Sequence, residues 1–335
     1  MNLWAWMGSR SPNGTLDETL DKTPNRTPGT PSSEPVGRPA GRRSRGLARG
    51  TTAALAAGAL ALTGLVASTA PAGAAERQVY VALGDSMASG PLIPDITGPL
   101  ACGRSTNNYA HVLAAQLHVA ELRDVTCSGA ATGHMTSPQH LSLAGVDLGE
   151  APPQFDALSA DTTLVTLTIG GNDVGLVGVA KGCATLNPFA TPCKDKWTSG
   201  GVDQVAQRID AFAPKLATVL TGIHTRAPHA RVVVTGYGLY IKPGGCWPYQ
   251  PVLGVDADYL QGSVNRLNTT IASQAAAHNA TYVDVAGPST GHDACQAPSA
   301  KWLEGYIPTD LAAPLHPNRR GEANYADIIA RNLHP

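Results

Sequence analysis

Four short clusters of small and polar residues could together carry out nucleophilic chemistry. A serine hydroxyl is a weak nucleophile at neutral pH and needs a base within hydrogen-bond reach. Ser86 supplies such a hydroxyl, and His316 supplies such a base because an imidazole titrates near neutral pH. The four clusters are Gly84-Asp85-Ser86, Cys127-Ser128-Gly129, Gly170-Gly171-Asn172-Asp173 and His316-Pro317-Asn318.

The predicted secondary structure would bring these clusters to one edge of a sheet. Apolar runs at 78–83, 122–127 and 162–169 predict strands that end at or just before the first three clusters. A predicted helix at 320–333 follows His316. Because the active site of an open α/β sheet lies at the carboxyl ends of its strands, we expect the four clusters to meet there.

From residue 76 onward, short apolar runs alternate with longer helical stretches. Further strands are predicted at 231–236 and 281–284, and further helices at 109–117, 202–226 and 258–278. This alternation is typical of a parallel sheet covered by helices on both faces. The sequence therefore predicts one three-layer α/β/α sandwich domain with a central parallel sheet, which extends over residues 76–335.

The first 75 residues have a different character. Residues 1–40 are rich in Pro, Ser, Thr and Gly and have little apolar periodicity, which predicts a disordered N-terminal extension. Residues 41–75 resemble a signal peptide, with a basic stretch, an uncharged run at 53–66 and the small residues Ala72-Gly73-Ala74. The uncharged run is shorter than the roughly 20 residues of a membrane-spanning helix. We therefore expect secretion without a stable membrane anchor; a retained anchor is the alternative.

The charge balance after residue 76 argues against a nucleic-acid partner. From Glu76 to the end of the sequence, 21 acidic residues face 16 basic ones, and no run of Lys or Arg occurs. Nucleic-acid-binding domains instead carry a basic patch or stripe. We expect a small-molecule or lipid substrate as the partner, and a monomer.

All six cysteines lie after residue 76, and an even number behind an export signal predicts three disulfides. Many pairings are possible. We favour the sequential one because each bridge then closes a short or moderate loop. The competing hypothesis is a zinc site, but neither Cys-x-x-Cys nor His-Glu-x-x-His occurs, so we expect no metal. The favoured pairs are Cys102–Cys127, Cys183–Cys193 and Cys246–Cys295.

Together the clusters resemble the conserved blocks of the SGNH (GDSL-type) hydrolase superfamily. The matching motifs are Gly-Asp-Ser-Met-Ala-Ser-Gly, Ile-Gly-Gly-Asn-Asp and His-Pro-Asn-x-x-Gly, in that order along the chain. The resemblance covers about residues 79–328, and the cysteines and long loops are similar to those of secreted actinobacterial lipases and esterases. It implies a flavodoxin-like strand order and ester hydrolysis without a cofactor.

The resemblance also implies a role for each block. Ser86 would be the nucleophile and His316 its base. The oxyanion of the tetrahedral intermediate would accept hydrogen bonds from the backbone N–H groups of Ser86 and Gly129 and from the side-chain amide of Asn172. Preorganised donors of this kind are usually the largest contribution to catalysis of acyl transfer.

One position departs from the family pattern. Many members carry an aspartate three residues before the catalytic histidine, and this sequence has Ala313 there. Some secreted members of the family instead orient the imidazole with a main-chain carbonyl of the same loop. We therefore expect a Ser86–His316 dyad with the Ala313 carbonyl as the acceptor. Asp310 is the rival orienting group.

The sequence thus predicts a secreted serine carboxylic ester hydrolase, a lipase or esterase. One alternative is a carbohydrate esterase that removes acetyl groups, and another is a catalytically silent binding protein on the same fold. His292-Asp293 is a rival catalytic pair in a loop. Four aromatic residues could line a substrate groove or fill the core, and the sequence leaves both possibilities open: Tyr237, Tyr240, Trp247 and Trp302.

Overall fold

A five-stranded parallel sheet forms the centre of the structure, a computed structural model that describes residues 78–143 and 145–333. The predicted extension at 1–40 and signal peptide at 41–75 lie outside the described residues. The strands in chain order are β1 (Val79–Gly84), β2 (Ile96–Thr97), β3 (Arg104–Ser105), β4 (Glu121–Asp124), β5 (Gln139–Leu143), β6 (Val146–Ala151), β7 (Leu164–Thr168), β8 (Arg231–Thr235) and β9 (Thr281–Val283).

The central sheet has the order β4-β1-β7-β8-β9, and each neighbouring pair is parallel. This is the flavodoxin-like order, in which the chain moves outward in one direction after the first strand and then reverses. The predicted α/β class with a central parallel sheet is therefore confirmed. The strand order reverses between β1 and β7, where open α/β sheets bind their ligands.

Helices connect the strands and cover the sheet. They are α1 (Ser86–Ser89), α2 (Tyr109–Gln116), α3 (Gly171–Val174), α4 (Leu176–Cys183), α5 (Cys193–Trp197), α6 (Gln204–Arg226), α7 (Gly254–Ala277) and α8 (Arg319–Leu333). Parallel crossovers are right-handed, so connections that run in opposite directions place their helices on opposite faces of the sheet. Helices α2 and α8 pack together, and α6 packs on α7. The sheet thus lies between two helical layers.

The core explains why the strands read as continuous apolar runs. Every residue of β1 and of β7 is buried, because each of these strands has a neighbour on both sides and helices on both faces. Helix α6 contributes a stripe of fully buried side chains at helical spacing, Ile209, Phe212 and Leu216. These residues form one core with the strands.

Two features differ from the sequence prediction. Strands β5 and β6 form an antiparallel hairpin that the sequence analysis did not predict. Most of β6 is exposed, and Gly149 and Glu150 break the apolar alternation that Val146 and Leu148 begin, which weakens the usual signal for a strand. The predicted strand at 122–127 is shorter in the structure: β4 ends at Asp124, whose carboxylate accepts hydrogen bonds from the backbone N–H and the hydroxyl of Thr126.

Three disulfides hold the loops around the sheet. The structure pairs Cys102 with Cys127, Cys183 with Cys193, and Cys246 with Cys295, which is the sequential arrangement. Within residues 78–143 and 145–333, no helix combines the length and the apolar character needed to cross a bilayer.

Gly84 at the end of β1 is required by close packing. Its φ is +145°, and a Cβ there would lie 2.5 Å from the backbone oxygen of Thr168 on β7. We expect Gly84→Ala to lower the free energy of unfolding by roughly 2–5 kcal/mol, because strain and a backbone clash add. Urea denaturation measures this change.

The control for that measurement is Gly262→Ala. Gly262 is exposed in α7, and a Cβ there would meet no atom within 4 Å. This substitution should raise the free energy of unfolding by roughly 0.5–1 kcal/mol, since alanine is the better helix former. Equal stability of the two variants would contradict the packing argument.

Candidate active site

Ser86 lies directly after β1, at the first residue of the short helix α1. Asp85 caps this helix, because its carboxylate accepts a hydrogen bond of 2.9 Å from the backbone N–H of Met87. The residue before it is held as well: the Gln154 side chain donates to the Gly84 carbonyl and accepts from the Gly84 N–H, at 2.9 and 2.8 Å. The backbone that presents the Ser86 hydroxyl is therefore fixed on both sides.

The Ser86 hydroxyl contacts His316. The distance from Ser86 Oγ to His316 Nε2 is 2.6 Å, although 230 residues separate the two in sequence. The other ring nitrogen, Nδ1, lies 2.8 Å from the carbonyl oxygen of Pro314. A carbonyl can only accept a hydrogen bond, so Nδ1 carries the proton and Nε2 is left to accept the proton of the serine hydroxyl.

The acceptor for the His316 ring differs from the predicted one. The Ala313 carbonyl instead accepts the backbone N–H of His316 and closes a turn. Proline at the second position of this turn and Leu315 with φ +65° at the third are typical of a type II turn. The free carbonyl beside the imidazole is therefore that of Pro314. Asp310, the rival, is exposed and its carboxylate accepts from the Leu311 N–H.

His316 is buried, with 2% of its surface exposed. Burial penalises the charged imidazolium and lowers the pKa of His316 to about 4, although the hydrogen bond to the Pro314 carbonyl acts in the opposite direction. The imidazole is therefore neutral at pH 7, as a base must be.

A buried polar cluster supports the histidine loop. The Asn318 side-chain amide donates to the Lys301 carbonyl at 3.0 Å and to the Glu304 carboxylate at 2.8 Å. The Glu304 carboxylate also accepts from the backbone N–H of Thr309 at 2.7 Å, and the Lys301 ammonium lies 4.0 Å from it. These side chains join the segment before His316 to the segment after it and so support the loop that carries the imidazole.

The two remaining blocks come together at the same edge. Asn172 donates a hydrogen bond of 2.8 Å to the carbonyl of Ala130, which directly follows Gly129. On the other side of Gly129, the hydroxyl of Ser128 lies 3.0 Å from that of Ser89 in α1. The glycine has φ +82°, a backbone conformation that side chains disfavour. Gly129 is thus held between the serine and asparagine segments.

Three potential donors are left at this edge. Among the described residues, the backbone N–H groups of Ser86 and Gly129 have no hydrogen-bond acceptor. The Asn172 amide nitrogen has two hydrogens, of which the Ala130 carbonyl takes one. These are the groups that the resemblance assigns to the oxyanion.

A buried network joins the serine turn to the asparagine turn. The Tyr237 hydroxyl donates to the Asp85 carboxylate and accepts from the backbone N–H of Gly171, each at 2.6 Å. Burial raises the pKa of Asp85 to about 7, and the Tyr237 hydrogen bond opposes that rise. Asp173, next to Asn172, accepts from the backbone and side chain of Thr132. Asp85 and Asp173 thus fix turns.

An apolar pocket lies beside the Ser86–His316 pair. Leu315, the neighbour of His316, forms part of its wall. Tyr240 forms another part, and its hydroxyl lies 3.0 Å from the sulfur of Met87, the neighbour of Ser86. The wall also includes Leu176, Ala180, Val252, Leu260, Val264 and Tyr306.

The polar side chains of the pocket wall are already engaged. Gln250 bonds to the Tyr306 N–H and the Ala294 carbonyl, and Gln261 bonds to the Tyr240 N–H and the Asn265 side chain. The pocket wall therefore offers a mainly apolar surface to any molecule that enters.

The rival pair His292-Asp293 has a structural role. The His292 ring stacks on Trp302, with 4.1 Å between ring centroids, and its Nδ1 bonds to the Ala300 carbonyl. The Asp293 carboxylate accepts from the backbone N–H of Cys295. Of the four undecided aromatic residues, Tyr237 and Trp302 are buried, Tyr240 lines the pocket, and Trp247 is 38% exposed.

Two polar roles in this site were not predicted from the sequence, those of Tyr237 and Gln154. Tyr237 follows β8 at the carboxyl edge of the sheet, so its position was a usable signal for a polar role. Gln154 follows the hairpin, and only tertiary structure places its amide against Gly84. Nothing in the local sequence indicates that contact.

The fold and this site define a class of protein: an SGNH-type α/β hydrolase that acts on ester bonds. Residues 82–323 match the GDSL-like lipase/acylhydrolase family. The chain belongs to that family, and the predicted resemblance to SGNH hydrolases is confirmed.

Similar proteins agree with this assignment. The chain is 39% identical over 287 residues to Lipase 2 of Streptomyces coelicolor. This match covers 83% of this chain and 93% of that protein. The structure is similar to phospholipase A1 from Streptomyces albidoflavus, with a TM-score of 0.59 and 28% identity. It is also similar to an extracellular lipase from Streptomyces rimosus, with a TM-score of 0.58 and 27% identity. Each comparison covers 76% of this chain and 99% of that structure.

The Tyr237 network predicts a stability effect. Tyr237→Phe removes the bridge between Asp85 and Gly171 and leaves a buried N–H without its acceptor. We expect the free energy of unfolding to fall by about 1–3 kcal/mol. Chemical denaturation measures this free energy. Tyr282→Phe is the control, because the half-buried Tyr282 hydroxyl has no hydrogen-bond partner among the described residues. Equal losses in both variants would show that the bridge contributes nothing.

Proposed function

We propose that this protein is a secreted serine carboxylic ester hydrolase that acts through a Ser86–His316 dyad. The single observation that carries the proposal is the contact of 2.6 Å between Ser86 Oγ and His316 Nε2, with the imidazole oriented by the Pro314 carbonyl. A nucleophile, a base and an orienting group in hydrogen-bond reach are what nucleophilic catalysis requires.

In the acylation step, Ser86 Oγ forms a bond to the ester carbonyl carbon while its proton passes to His316 Nε2. The carbonyl oxygen becomes an oxyanion in the tetrahedral intermediate. His316 then gives the proton to the leaving alcohol as the bond between carbon and alkoxy oxygen breaks. An acyl-serine remains, and His316 is again neutral.

In the deacylation step, water takes the place of the alcohol. His316 removes a proton from the water, and the water oxygen attacks the acyl carbon. Collapse of the second tetrahedral intermediate breaks the bond to Ser86 Oγ, which regains its proton from His316. The free acid leaves, and neither step requires a cofactor.

We assign the oxyanion to three donors: the backbone N–H groups of Ser86 and Gly129 and the side-chain amide of Asn172. Two observations support this assignment. The two backbone groups have no acceptor within the described part of the chain, and Asn172 has a second amide hydrogen to donate. Donors held in place before the reaction need no reorganisation as charge develops.

The apolar pocket favours a fatty-acyl ester. Its wall begins at Leu315 and Tyr240, next to the dyad, and continues along apolar side chains of α4 and α7. An acetyl group would leave this surface empty, whereas each CH₂ of a longer chain that is buried contributes about 0.8 kcal/mol. The names of the relatives, lipase and phospholipase A1, support the same substrate class. A carbohydrate acetyl esterase is the weaker alternative.

Secretion is part of the proposal. Three disulfides are typical of a protein that folds in an oxidising compartment. We propose that residues 76–335 form the exported hydrolase domain and that 41–75 are its signal peptide.

Hydrolysis of p-nitrophenyl esters tests the mechanism. Ser86→Ala should reduce turnover by at least ~10³-fold, and Asn172→Ala by roughly 10²–10³-fold in kcat. Asp310→Ala is the control and should keep wild-type activity, since a backbone carbonyl orients the base. Full activity of Ser86→Ala would refute the proposal, and a large loss in Asp310→Ala would replace the dyad with a triad. In wild type, turnover that is fastest with acetate would favour the acetyl esterase.

The pH profile follows from the burial of His316. With its pKa lowered to about 4, His316 stays neutral between pH 4 and its ordinary value near 6.5. We expect kcat/KM for a soluble ester to hold down to about pH 5 and to fall through about pH 4. Over the same range His316 binds the extra proton only in the unfolded chain, so its contribution to stability falls as the pH is lowered from 6.5 to 4, whereas Asp85, with its pKa raised to about 7, contributes in the opposite direction. An acid limb centred near pH 6.5 would contradict this expectation.

A further inference from the structure

Several large apolar side chains are exposed on two loops next to the pocket. Phe189 is 92% exposed, Tyr249 80%, Leu186 72% and Trp247 38%. We refer to these four residues as the apolar rim. Large apolar side chains that gather on one part of a surface often mark an interaction site.

The two loops form one structural unit. The backbone N–H of Thr185 donates to the Pro251 carbonyl at 2.7 Å, and the Trp247 indole donates to the Thr185 carbonyl at 3.2 Å. Disulfides Cys183–Cys193 and Cys246–Cys295 hold the ends of these segments. Hydrogen bonds and disulfides therefore hold the two loops that carry the apolar rim.

The same unit forms part of the pocket wall. Val252 and Gln250 line the pocket from one loop, and Ala180 lines it from the helix that leads into the other. The rim and part of the pocket wall are thus carried by the same two segments, so apolar side chains lie both outside the pocket and along its wall. A substrate that is anchored in a lipid layer could pass its acyl chain along this surface without crossing water.

Basic residues border the rim. Of the six lysines at positions 78–333, four lie at 181–196 or at 242, whereas Asp195 is the only acidic residue within 181–196 and 240–252. Lys194, Lys196 and Lys242 are exposed. The exposed Asp258 carboxylate lies nearby, bonded to the Gly244 N–H. This local basic excess contrasts with the acidic excess of the chain after residue 76.

We propose that the apolar rim and its lysines dock on an anionic phospholipid surface and place the pocket mouth against it. Apolar side chains enter the lipid layer, and lysines near an anionic surface add attraction. The proposal rests on the proposed ester hydrolase function, because a lipid surface is where an insoluble fatty-acyl ester is found.

A second exposed apolar patch supplies a comparison. Val146 and Leu148 on the hairpin are 60% and 40% exposed. Their strand carries Asp147 and Glu150 and no lysine. An anionic surface would repel these carboxylates, so the hairpin is the matched control for the rim.

Flotation of the full-length protein with vesicles of ether-linked phospholipids tests the docking. Ether lipids cannot be hydrolysed, so binding is measured apart from catalysis. Wild type should float with vesicles that contain phosphatidylglycerol. Leu186→Ser combined with Phe189→Ser should weaken binding about tenfold or more. Lys194→Ser combined with Lys196→Ser should weaken it about fivefold for each lysine, and less at high salt.

Two controls separate docking from folding and from catalysis. Val146→Ser combined with Leu148→Ser should bind as wild type does. The rim variant should still hydrolyse a soluble p-nitrophenyl ester at the wild-type rate. If the wild type shows no hydrolysis but floats as described, the proposed function fails and the docking surface stands.

Other outcomes overturn the docking proposal. The proposal fails if the wild type does not float, or if it floats equally well with purely zwitterionic vesicles. It also fails if the rim variant floats like wild type, or if the hairpin variant loses as much binding as the rim variant does. If the wild type is instead a dimer that the rim substitutions convert to a monomer, a second copy of the chain covers the rim. That result would also overturn it.

Discussion

The hydrogen bond between Ser86 and His316 depends on a buried imidazole that no carboxylate of residues 78–143 or 145–333 holds. Its ring orientation is set by one main-chain carbonyl, that of Pro314, in a turn closed by Ala313. A carbonyl has a fixed place only when its backbone is rigid. The loop that carries His316 must therefore be stiff, and the Asn318–Glu304 contact supplies that stiffness from inside the protein.

The serine side of the site has the same design. Gln154 holds the backbone of Gly84, which also packs against β7. Asp85 caps the short helix that begins at Ser86. Tyr237 then carries the connection to Gly171, one residue before Asn172. Groups that we assign to the same reaction are joined to one another through buried hydrogen bonds, which are costly to break because their partners would be left unsatisfied.

In the proposed function, the loops around this centre help to form the surface that meets the substrate. Disulfides hold the segments that carry the pocket wall and the apolar rim, since these loops have few regular backbone hydrogen bonds of their own. In the proposed function, specificity therefore depends on the pocket wall formed by α4, α7 and the loop after β8, while the chemistry takes place at the carboxyl edge of the sheet. The two can vary separately.

The sequence by itself was enough to predict the sheet, its helices, the four clusters and the sequential cysteine pairs, because apolar periodicity and motif order are local properties. It could not identify Pro314 as the acceptor, since which carbonyl faces the imidazole depends on the turn that Leu315 adopts at φ +65°. Nor could it identify the Gln154 clamp, the hairpin or the pocket. Those depend on contacts between residues far apart along the chain, and only the packed tertiary structure decides them.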